Sequence, residues 1–359
     1  MRISRSATYA ISALAAAALL AACNGGSQAS YAPSSGVSPA GAHAPGGVRG
    51  LHGNLSYTSV KAPNVHVDHH KSWVSPDVKK APRLLFISDD STYDVYIFTM
   101  PAMALKGTIT GFSEPQGMCT DKSGNIWVTN TGTLQIIQLL RTGTVLNTLT
   151  DPTGYPVGCA VNMSNGDLAV TNIFNTSGAG TIELYANASG TPTSLSNSNQ
   201  YEYFFPTYDT SGNLYVDGFS NSGTWILSGC PAGSSSCHTL SVSGASPYFP
   251  GGLNWDRVGG NLIIGDQECG GNLESCQYTA TVSGSSVTIT ATTILNDVNG
   301  HGGDVDQGTL APFSKYFAGP LISFGSATTS ANRWSWPAGT VTNYSTSVSY
   351  PIGSAISNK

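Results

Sequence analysis

Four segments of this chain share one pattern, which recurs at intervals of 42 to 49 residues. Each has a short apolar stretch, a turn with Gly-Asn or Gly-Asp, and alternating apolar residues that end near Asn or Asp. The segments are PQGMCTDKSGNIWVTN (115–130), PVGCAVNMSNGDLAVTN (156–172), YFFPTYDTSGNLYVDG (203–218) and PGGLNWDRVGGNLIIGD (250–266). Alternating apolar residues on both sides of such turns predict β-hairpins. The chain is therefore expected to repeat one β-unit.

A polar residue closes the second strand of each unit. The series is Asp89, Asn130, Asn172, Asp217 and Asp266, with spacings of 41, 42, 45 and 49 residues. Third and fourth strands follow, as in LQIIQLL and TVLNTLT, and there is little sign of helix. Four strands per unit of this length predict the blades of a β-propeller. A β-sandwich or a solenoid built from hairpins is the alternative.

The two ends of the array predict the number of blades. The first unit, from Arg83, lacks the Pro-x-Gly strand that opens the others. The segment SYPIGSAISNK carries Pro351 and Gly353 in the same register as the missing strand. We expect this segment to complete blade one, which would remove two exposed sheet edges. With a sixth, degenerate unit over 303–348, the sequence predicts an all-β, six-bladed propeller closed by the C-terminal strand.

The N-terminus has the features of an export signal. Arg2 and Arg5 precede an apolar run over 10–22, which is too short to span a bilayer and typical of a signal peptide. The run ends in LAAC at 20–23, which resembles the lipobox of bacterial lipoproteins. That resemblance implies cleavage before Cys23 and lipid attachment to its sulfur. An ordinary signal peptide followed by a chance cysteine is the alternative.

The chain is expected to have three parts: a lipoprotein signal peptide (1–22), a lipidated tether (23–74) and the propeller (75–359). The tether is rich in Ser, Gly, Ala and Pro, and it cannot bury enough apolar surface to fold. Its HVDHH stretch (66–70) contains metal-ligand residue types, but no second cluster accompanies it. Asn24, rather than Asp, favours the outer membrane or cell surface over the inner membrane.

The net charge and the cysteine count indicate which partners and which redox environment to expect. The net charge of −5 leaves no basic footprint, which excludes nucleic acid as an expected partner. Without Cys23, six of the seven cysteines remain, and an even number in an exported chain favours disulfides. The candidate pairs are Cys230 with Cys237, Cys269 with Cys276, and Cys119 with Cys159. For Cys119 and Cys159, two buried free thiols are the alternative.

The repeated motif, Pro-x-Gly, a turn, and Gly-Asn-apolar-aromatic-Val-Thr-Asn, resembles the NHL repeat. More broadly, the chain is similar to six-bladed propellers of the SMP-30 superfamily, which includes gluconolactonase and regucalcin. The resemblance covers about 275 residues. It implies, for the enzymes of that superfamily, one divalent cation at the channel mouth, held by a carboxylate together with Asn and Asp from other blades. Oxygen ligands of this kind suit Ca²⁺ or Mg²⁺.

Several polar residues are expected to share one channel mouth, because the loop into the innermost strand and the end of the second strand lie on one face of a propeller. The candidate metal ligands are Glu114, Asp89, Asn130, Asn172, Asp217, Asp266, His301 and Asp304. The alternative is structural, since an Asn or Asp repeated in every blade can bond the backbone of a neighbouring turn. The enzymes' Glu-Gly-Pro opening appears here only as Glu114-Pro115.

Neither a nucleophile nor a catalytic base is identified from the sequence. Only His238 and His301 lie within the predicted blades, and no Gly-x-Ser-x-Gly motif is present. The sequence therefore favours an exported, lipid-anchored binding or interaction module whose ligand is a glycan, a peptide or an envelope protein. A divalent-metal-dependent, lactonase-like hydrolase with its site at the channel mouth is the alternative.

Overall fold

The repeated units form six antiparallel sheets in the computed structural model, which describes residues 71–175, 178–272, 274–323 and 326–358. Innermost strands of successive sheets contact one another around a closed ring. The fold is therefore an all-β, six-bladed propeller, as predicted. Three short 3-10 helices, Pro76–Lys79, Thr131–Thr133 and Ala186–Ala188, lie in connections of the described part.

In each of the first three blades, the strands follow one another from the innermost outward. Blade one contains β27 (Pro351–Asn358), β2 (Arg83–Asp89), β3 (Asp94–Thr99), β4 (Ala104–Ile109) and β1 (Trp73–Val74). Blade two contains β5 (Pro115–Thr120), β6 (Ile126–Asn130), β7 (Gln135–Leu139) and β8 (Val145–Thr150). Blade three contains β9 (Gly154–Val161), β10 (Leu168–Asn175), β11 (Gly178–Tyr185) and β12 (Thr193–Leu195).

The other three blades follow the same order. Blade four contains β13 (Gln200–Tyr208), β14 (Leu214–Ser220), β15 (Trp225–Cys230) and β16 (His238–Thr239). Blade five contains β18 (Pro250–Asp256), β19 (Asn261–Asp266), β20 (Ser275–Ser283), β21 (Ser286–Leu295) and β17 (Ser241–Ser243). Blade six contains β22 (Gly303–Asp304) and β23 (Thr309–Leu310), then β24 (Tyr316–Ser323), β25 (Ser330–Ser335) and β26 (Val341–Ser345).

The last strand closes the ring. β27 pairs antiparallel with β2, with Arg83 opposite Asn358 and Asp89 opposite Pro351. It also contacts β5 of blade two and β24 of blade six. Blade one is thus assembled from the two ends of the propeller, which confirms the predicted closure.

The glycine of the Pro-x-Gly motif allows innermost strands to approach each other. A Cβ atom at Gly117 would lie 2.4 Å from the carbonyl oxygen of Val157 in the next blade. At Gly353 it would lie 2.3 Å from the carbonyl oxygen of Gln116. Real Cβ atoms do not tolerate such distances, so a side chain at either position would push two blades apart.

Large aromatic residues fill the space between blades. Trp127, Trp334, Tyr185 and Tyr203 are among the largest fully buried side chains. They belong to apolar clusters that combine residues from neighbouring sheets. The aromatic content of the sequence therefore serves blade packing to a large extent.

Three disulfides join the six cysteines of the propeller. Cys119 and Cys159 link the innermost strands of blades two and three, with their Cα atoms 5.6 Å apart. The other two bridges close local loops: Cys230 with Cys237 in blade four, and Cys269 with Cys276 in blade five. Disulfides persist in oxidising compartments, so they indicate an exported protein.

Two outer strands were not predicted. β1 starts at Trp73, inside the segment expected to be tether, and pairs with β4 at the outer edge of blade one. β17 leaves blade four and pairs in parallel with β21 of blade five. Both are two or three residues long, and strands this short carry no periodic signal. Each covers an edge that would otherwise expose unpaired backbone groups.

The antiparallel topology defines two faces. The upper face carries the loops into the innermost strands and the ends of the second strands. The lower face carries the turns between first and second strands and between third and fourth strands. Within the described ranges, no helix is long and apolar enough to cross a membrane.

Candidate functional site

The repeated polar residues of the second strands are all buried towards the upper face. Asp89, Asn130 and Asp266 end their strands as predicted. The strands of Asn172 and Asp217 continue for three more residues, to Asn175 and Ser220, so the expected strand ends were wrong there. Four of the five pair directly with a proline at or near the start of the innermost strand of their blade. The proline donates no ladder hydrogen bond, and the N–H groups of the residues near it need acceptors outside the ladder.

Asp217 and Asp266 accept these N–H groups. The Asp217 carboxylate accepts hydrogen bonds from the N–H of Phe205 at 2.9 Å and of Gly251 at 3.2 Å, which join blades four and five. Asp266 accepts from the N–H of Tyr248 at 2.9 Å and of Phe249 at 3.0 Å. Asp266 therefore holds the loop that leads into β18, whereas Asp217 joins two innermost strands, β13 and β18.

Asp89 and Asn130 accept N–H groups from the loop before an innermost strand in the same way as Asp266. Asp89 accepts from the N–H of Ser349 at 2.6 Å and of Tyr350 at 3.0 Å, so it fixes the loop before the closing strand. Asn130 accepts from the N–H of Ser113 at 2.7 Å. These contacts support the structural interpretation of the repeated polar residue.

Blade three uses two residues for this purpose. Asp151 accepts the N–H groups of Thr153 at 2.9 Å and Gly154 at 3.1 Å. Asn172 donates its amide to Asp151 at 3.0 Å and thus supports the acceptor indirectly. The sequence did not single out Asp151, because it precedes the repeated motif.

A second group of acidic residues lies at the channel mouth and does not belong to this capping series. Asp90 follows Asp89, and its backbone N–H donates to the carbonyl oxygen of Tyr350 at 3.0 Å. Only 7% of its surface is exposed, and its Oδ1 atom is buried without a hydrogen-bond partner. Burial and the nearby charges of Glu114 and Asp89 raise the pKa of Asp90 to about 7.

Glu114 lies beside Asp90 and has a similar environment. It is 7% exposed, and its backbone φ of 53° places it in the left-handed region. Burial raises the pKa of Glu114 to about 7. Glu114 lies on the upper face, in the loop directly before β5.

Two tyrosines and two further aspartates complete the group. Burial and the charges of Asp306, Asp304 and Asp90 raise the pKa of Tyr350. Burial and the charge of Glu114 raise the pKa of Tyr155. These electrostatic contacts define what we call the mouth cluster: Asp90, Glu114, Asp304, Asp306, Tyr155 and Tyr350.

The side chain of Gln307 crosses the channel next to this cluster. Its Nε2 donates to the carbonyl oxygen of Met118 at 2.9 Å, and its Oε1 accepts from the N–H of Met118 at 2.7 Å. Its own N–H donates to the carbonyl oxygen of Ile352 at 3.1 Å. Gln307 therefore ties blade six to blades one and two and gives the mouth a polar floor.

His301 lies in the upper loop before β22 and pairs with Asp297, not with the mouth cluster. Its Nδ1 is 3.6 Å from Asp297 Oδ2, and its side chain is 47% exposed. Burial alone would raise the pKa of Asp297, but the N–H groups of His301, Asn299 and Thr328 and the His301 charge lower it overall.

The mouth residues have oxygen atoms of the type that Ca²⁺ and Mg²⁺ prefer. In the described ranges, however, no three side chains of His, Cys, Asp or Glu are grouped closely enough to hold a metal ion. Asp217 and Asp266 also direct their carboxylates to backbone N–H groups. The carboxylates and phenols of the mouth can accept or donate hydrogen bonds, and ionised carboxylates attract positive charge.

The sequence did not predict the full mouth cluster. Glu114 and Asp304 were candidates, whereas Asp90, Asp306, Tyr155 and Tyr350 were not. The adjacent pair Asp89-Asp90 was the one available signal, since only one of two neighbouring aspartates can serve as the cap.

No protein-family model and no curated protein sequence matches this chain. Among solved structures, a chain from "Crystal structure of Nidogen/Laminin Complex" is 12% identical, with a TM-score of 0.57, over 77% of this chain and 98% of that one. TolB from Acinetobacter baumannii is 14% identical, with a TM-score of 0.56, over 80% and 68%. A functionally unknown protein from Desulfotomaculum acetoxidans is 11% identical, with a TM-score of 0.52, over 77% and 99%. At such low identity, these likenesses establish the fold alone.

Proposed function

We propose that this protein is an exported, lipid-anchored binding module and that the mouth cluster is its ligand site. We further propose that it belongs with the NHL-repeat and SMP-30-like propellers, on the strength of the repeated motif. The propeller provides a rigid frame, and the mouth cluster lies on its upper face.

The observation that carries this proposal is a buried carboxyl oxygen of Asp90 that lacks a hydrogen-bond donor. Asp90 is buried, and its Oδ1 has no hydrogen-bond partner. A buried polar atom in this state costs about 1–3 kcal/mol, which a ligand donor would recover. Because the surrounding groups are carboxyls and phenols, a cationic donor is the best complement.

A protein or peptide is the favoured source of that cation. Lysine and arginine side chains supply an ammonium or guanidinium group, and arginine pairs well with carboxylates. The solved neighbour from a nidogen and laminin complex comes from a protein–protein assembly. A basic segment of an envelope protein therefore fits the site better than a neutral glycan.

Binding of a peptide such as pentalysine should depend on pH and on the cluster. Asp90 and Glu114 have pKa values of about 7, so a cation that favours their ionised forms should bind more tightly at pH 8 than at pH 6 and release protons. Calorimetry in two buffers of different ionisation enthalpy measures both effects. The double substitution Asp90→Asn with Glu114→Gln should weaken binding at pH 8 at least about tenfold, or about 1.4 kcal/mol.

Asp77→Asn is the matched control, because Asp77 is 65% exposed on the lower half of blade one. It removes one negative charge without changing the mouth. Equal weakening by Asp77→Asn and by the double substitution would indicate non-specific attraction and would contradict the proposed site. Acetylated pentalysine should not bind.

Export is indicated by the three disulfides, whereas the lipid anchor lies outside the described residues. We propose attachment through Cys23 to the outer membrane or cell surface, because the LAAC sequence at 20–23 precedes a Ser-, Gly- and Pro-rich segment. The HVDHH stretch also lies outside the described residues.

Cys23→Ser should release the protein from membranes and abolish its metabolic labelling with palmitate, because no thiol remains to accept diacylglycerol. Membrane fractionation and labelling of the exported chain measure both effects. Persistent labelling of the variant would contradict lipidation at this position, whatever the ligand of the propeller.

A further inference from the structure

The lower turns of blades five and six differ from those of blades two and four. In blades two and four, the turns contain Asp121 and Asp209, whose carboxylates accept N–H groups of the same turn, and their tips are polar. In blades five and six, the tips carry Val258 and Phe313, and each is 68% exposed. These are the two most exposed large apolar side chains in the described part of the chain.

The two apolar tips belong to turns that touch. The hydroxyl of Ser314 donates a hydrogen bond to the carboxylate of Asp256 in the neighbouring blade. Phe313 and Ser314 also have φ values of 74° and 50°, in the left-handed region that is unfavourable for a residue other than glycine. An exposed phenylalanine on a strained backbone adds little to folding stability, which favours a role at the surface.

Basic residues surround these tips. Arg257 is exposed and directly precedes Val258. Lys315 is exposed and lies two residues after Phe313. Apart from Lys71 and Lys106, every described lysine and arginine lies on the lower half of the propeller: Lys79, Lys80, Arg83, Lys122, Arg141, Arg257, Lys315 and Arg333. The upper face carries acidic residues instead, in the mouth cluster and in the carboxylates that cap backbone N–H groups.

The lower half is not uniformly basic. Five described aspartates also lie there: Asp77, Asp121, Asp167, Asp209 and Asp256. Four accept hydrogen bonds in or beside turns, and Asp77 pairs with Lys106 at 3.5 Å. The eight basic residues therefore outnumber these five aspartates, and the exposed tips of blades five and six carry only basic charges.

The basic surface continues from blade six to blade two. The Arg83 guanidinium lies 5.6 Å from the centre of the Tyr316 ring, and its Nε donates to Asn358 Oδ1 at 2.7 Å. Ser357 then donates to the carbonyl oxygen of Gly124, which lies in the same turn as the exposed Lys122. Together with the contact between Ser314 and Asp256, these contacts connect the lower ends of four consecutive blades: five, six, one and two.

We propose that the lower patch, defined as Arg257, Val258, Phe313, Lys315 and Lys122, docks the propeller onto an anionic lipid surface. Protruding apolar side chains flanked by lysine and arginine are suited to the boundary between lipid headgroups and acyl chains. This inference goes beyond the proposed ligand site and does not require an acyl group at Cys23. It orients the mouth cluster away from the membrane.

Vesicle sedimentation of the full chain carrying Cys23→Ser tests the proposal without any acyl anchor. Vesicles with 30% phosphatidylglycerol in phosphatidylcholine should bind the protein, whereas pure phosphatidylcholine should bind it at least about tenfold more weakly. Arg257→Glu with Lys315→Glu should lower the partition coefficient by at least about tenfold, since each basic group near such a surface contributes about 1 kcal/mol. Phe313→Ser should lower it several-fold.

Matched substitutions elsewhere on the surface distinguish docking through the lower patch from a general effect of charge or hydrophobicity on vesicle binding. Lys71→Glu, with Lys71 exposed on the upper half, and Val298→Ser, with Val298 46% exposed in an upper loop, should leave partitioning unchanged. Equal losses in these controls, or no preference for phosphatidylglycerol, would overturn the proposal. Binding to heparin as tight as to vesicles, and insensitive to Phe313→Ser, would assign the patch to a polyanion instead and would also overturn it.

Discussion

Deletion of residues 349–359 is expected to abolish cooperative folding of the propeller. β27 supplies the innermost strand of blade one, and its Ile352, Ala355 and Ile356 side chains belong to three different apolar clusters. Burial of one isoleucine contributes about 1.5–3 kcal/mol. The two isoleucines and the lost strand pairing together approach the whole stability of a domain, about 5–15 kcal/mol.

The consequences extend beyond blade one. Removal of the strand exposes one edge of β2, and Asp89 Oδ2 loses the N–H groups of Ser349 and Tyr350. A buried carboxylate oxygen without donors destabilises the fold, and an open β-edge promotes aggregation. We expect the truncated chain to be insoluble or to lack a sharp thermal transition by circular dichroism.

Two controls keep this prediction specific. Deletion of Lys359 alone, which leaves β27 complete, should preserve the melting temperature within a few degrees. A synthetic peptide of residues 349–359, added during refolding, should restore a cooperative transition by pairing with β2. A soluble truncated protein that melts like the full chain would show that the ring does not depend on its closing strand.

The closing strand also shows what the sequence could reveal. Pro351 and Gly353 repeat the Pro-x-Gly motif of the other blades, and the glycine is required because innermost strands approach within contact distance. Because the same close approach recurs in successive blades, the glycine it requires recurs at regular intervals in the sequence. The blade number and the ring closure were predictable for this reason.

The repeated polar residue was predictable in position but ambiguous in role. Asp217 and Asp266 lie in the upper part of second strands, where either a metal ligand or a backbone cap fits the pattern. Only the contacts to Phe205, Gly251 and Phe249 distinguish these roles, and they join residues far apart in the chain.

Most of the mouth cluster could not be predicted from the sequence, for a different reason. Asp90, Glu114 and Asp306 come from three blades and occupy no common position in the repeat. They meet because the ring closes, and their raised pKa values arise from burial that no single segment shows. The lower patch likewise consists of departures from the repeat, at Val258 and Phe313.

Stability is expected to fall as the pH rises from about 5 to 8. Burial raises the pKa of Asp90 and Glu114 to about 7 and of Glu202 to about 8. A carboxyl whose pKa is higher in the folded state binds its proton more tightly there than in the unfolded chain. Its contribution to stability is therefore complete below pH 4 and is lost as the pH passes through the folded-state value.

The expected size of the effect is large. One pKa unit corresponds to about 1.4 kcal/mol, so Asp90, raised from 3.8 to about 7, accounts for about 4 kcal/mol at most. Taking roughly 3 kcal/mol for the mouth after local relaxation, the melting temperature should be about 5–10 °C lower at pH 8 than at pH 5.5. Differential scanning calorimetry at constant ionic strength measures this difference.

Asp90→Asn with Glu114→Gln should remove most of this pH dependence and raise the melting temperature at pH 8, because neutral amides no longer require deprotonation in a buried site. Asp77→Asn, on an exposed side chain, should shift the melting temperature equally at both pH values. The same variant of the mouth should also lose pentalysine binding. A gain in stability at pH 8 together with a loss of affinity would show that the protein maintains a destabilising cluster of acids for its ligand. A double variant as pH-dependent as the natural protein would instead place the titrating groups elsewhere, with Glu202 the next residue to substitute.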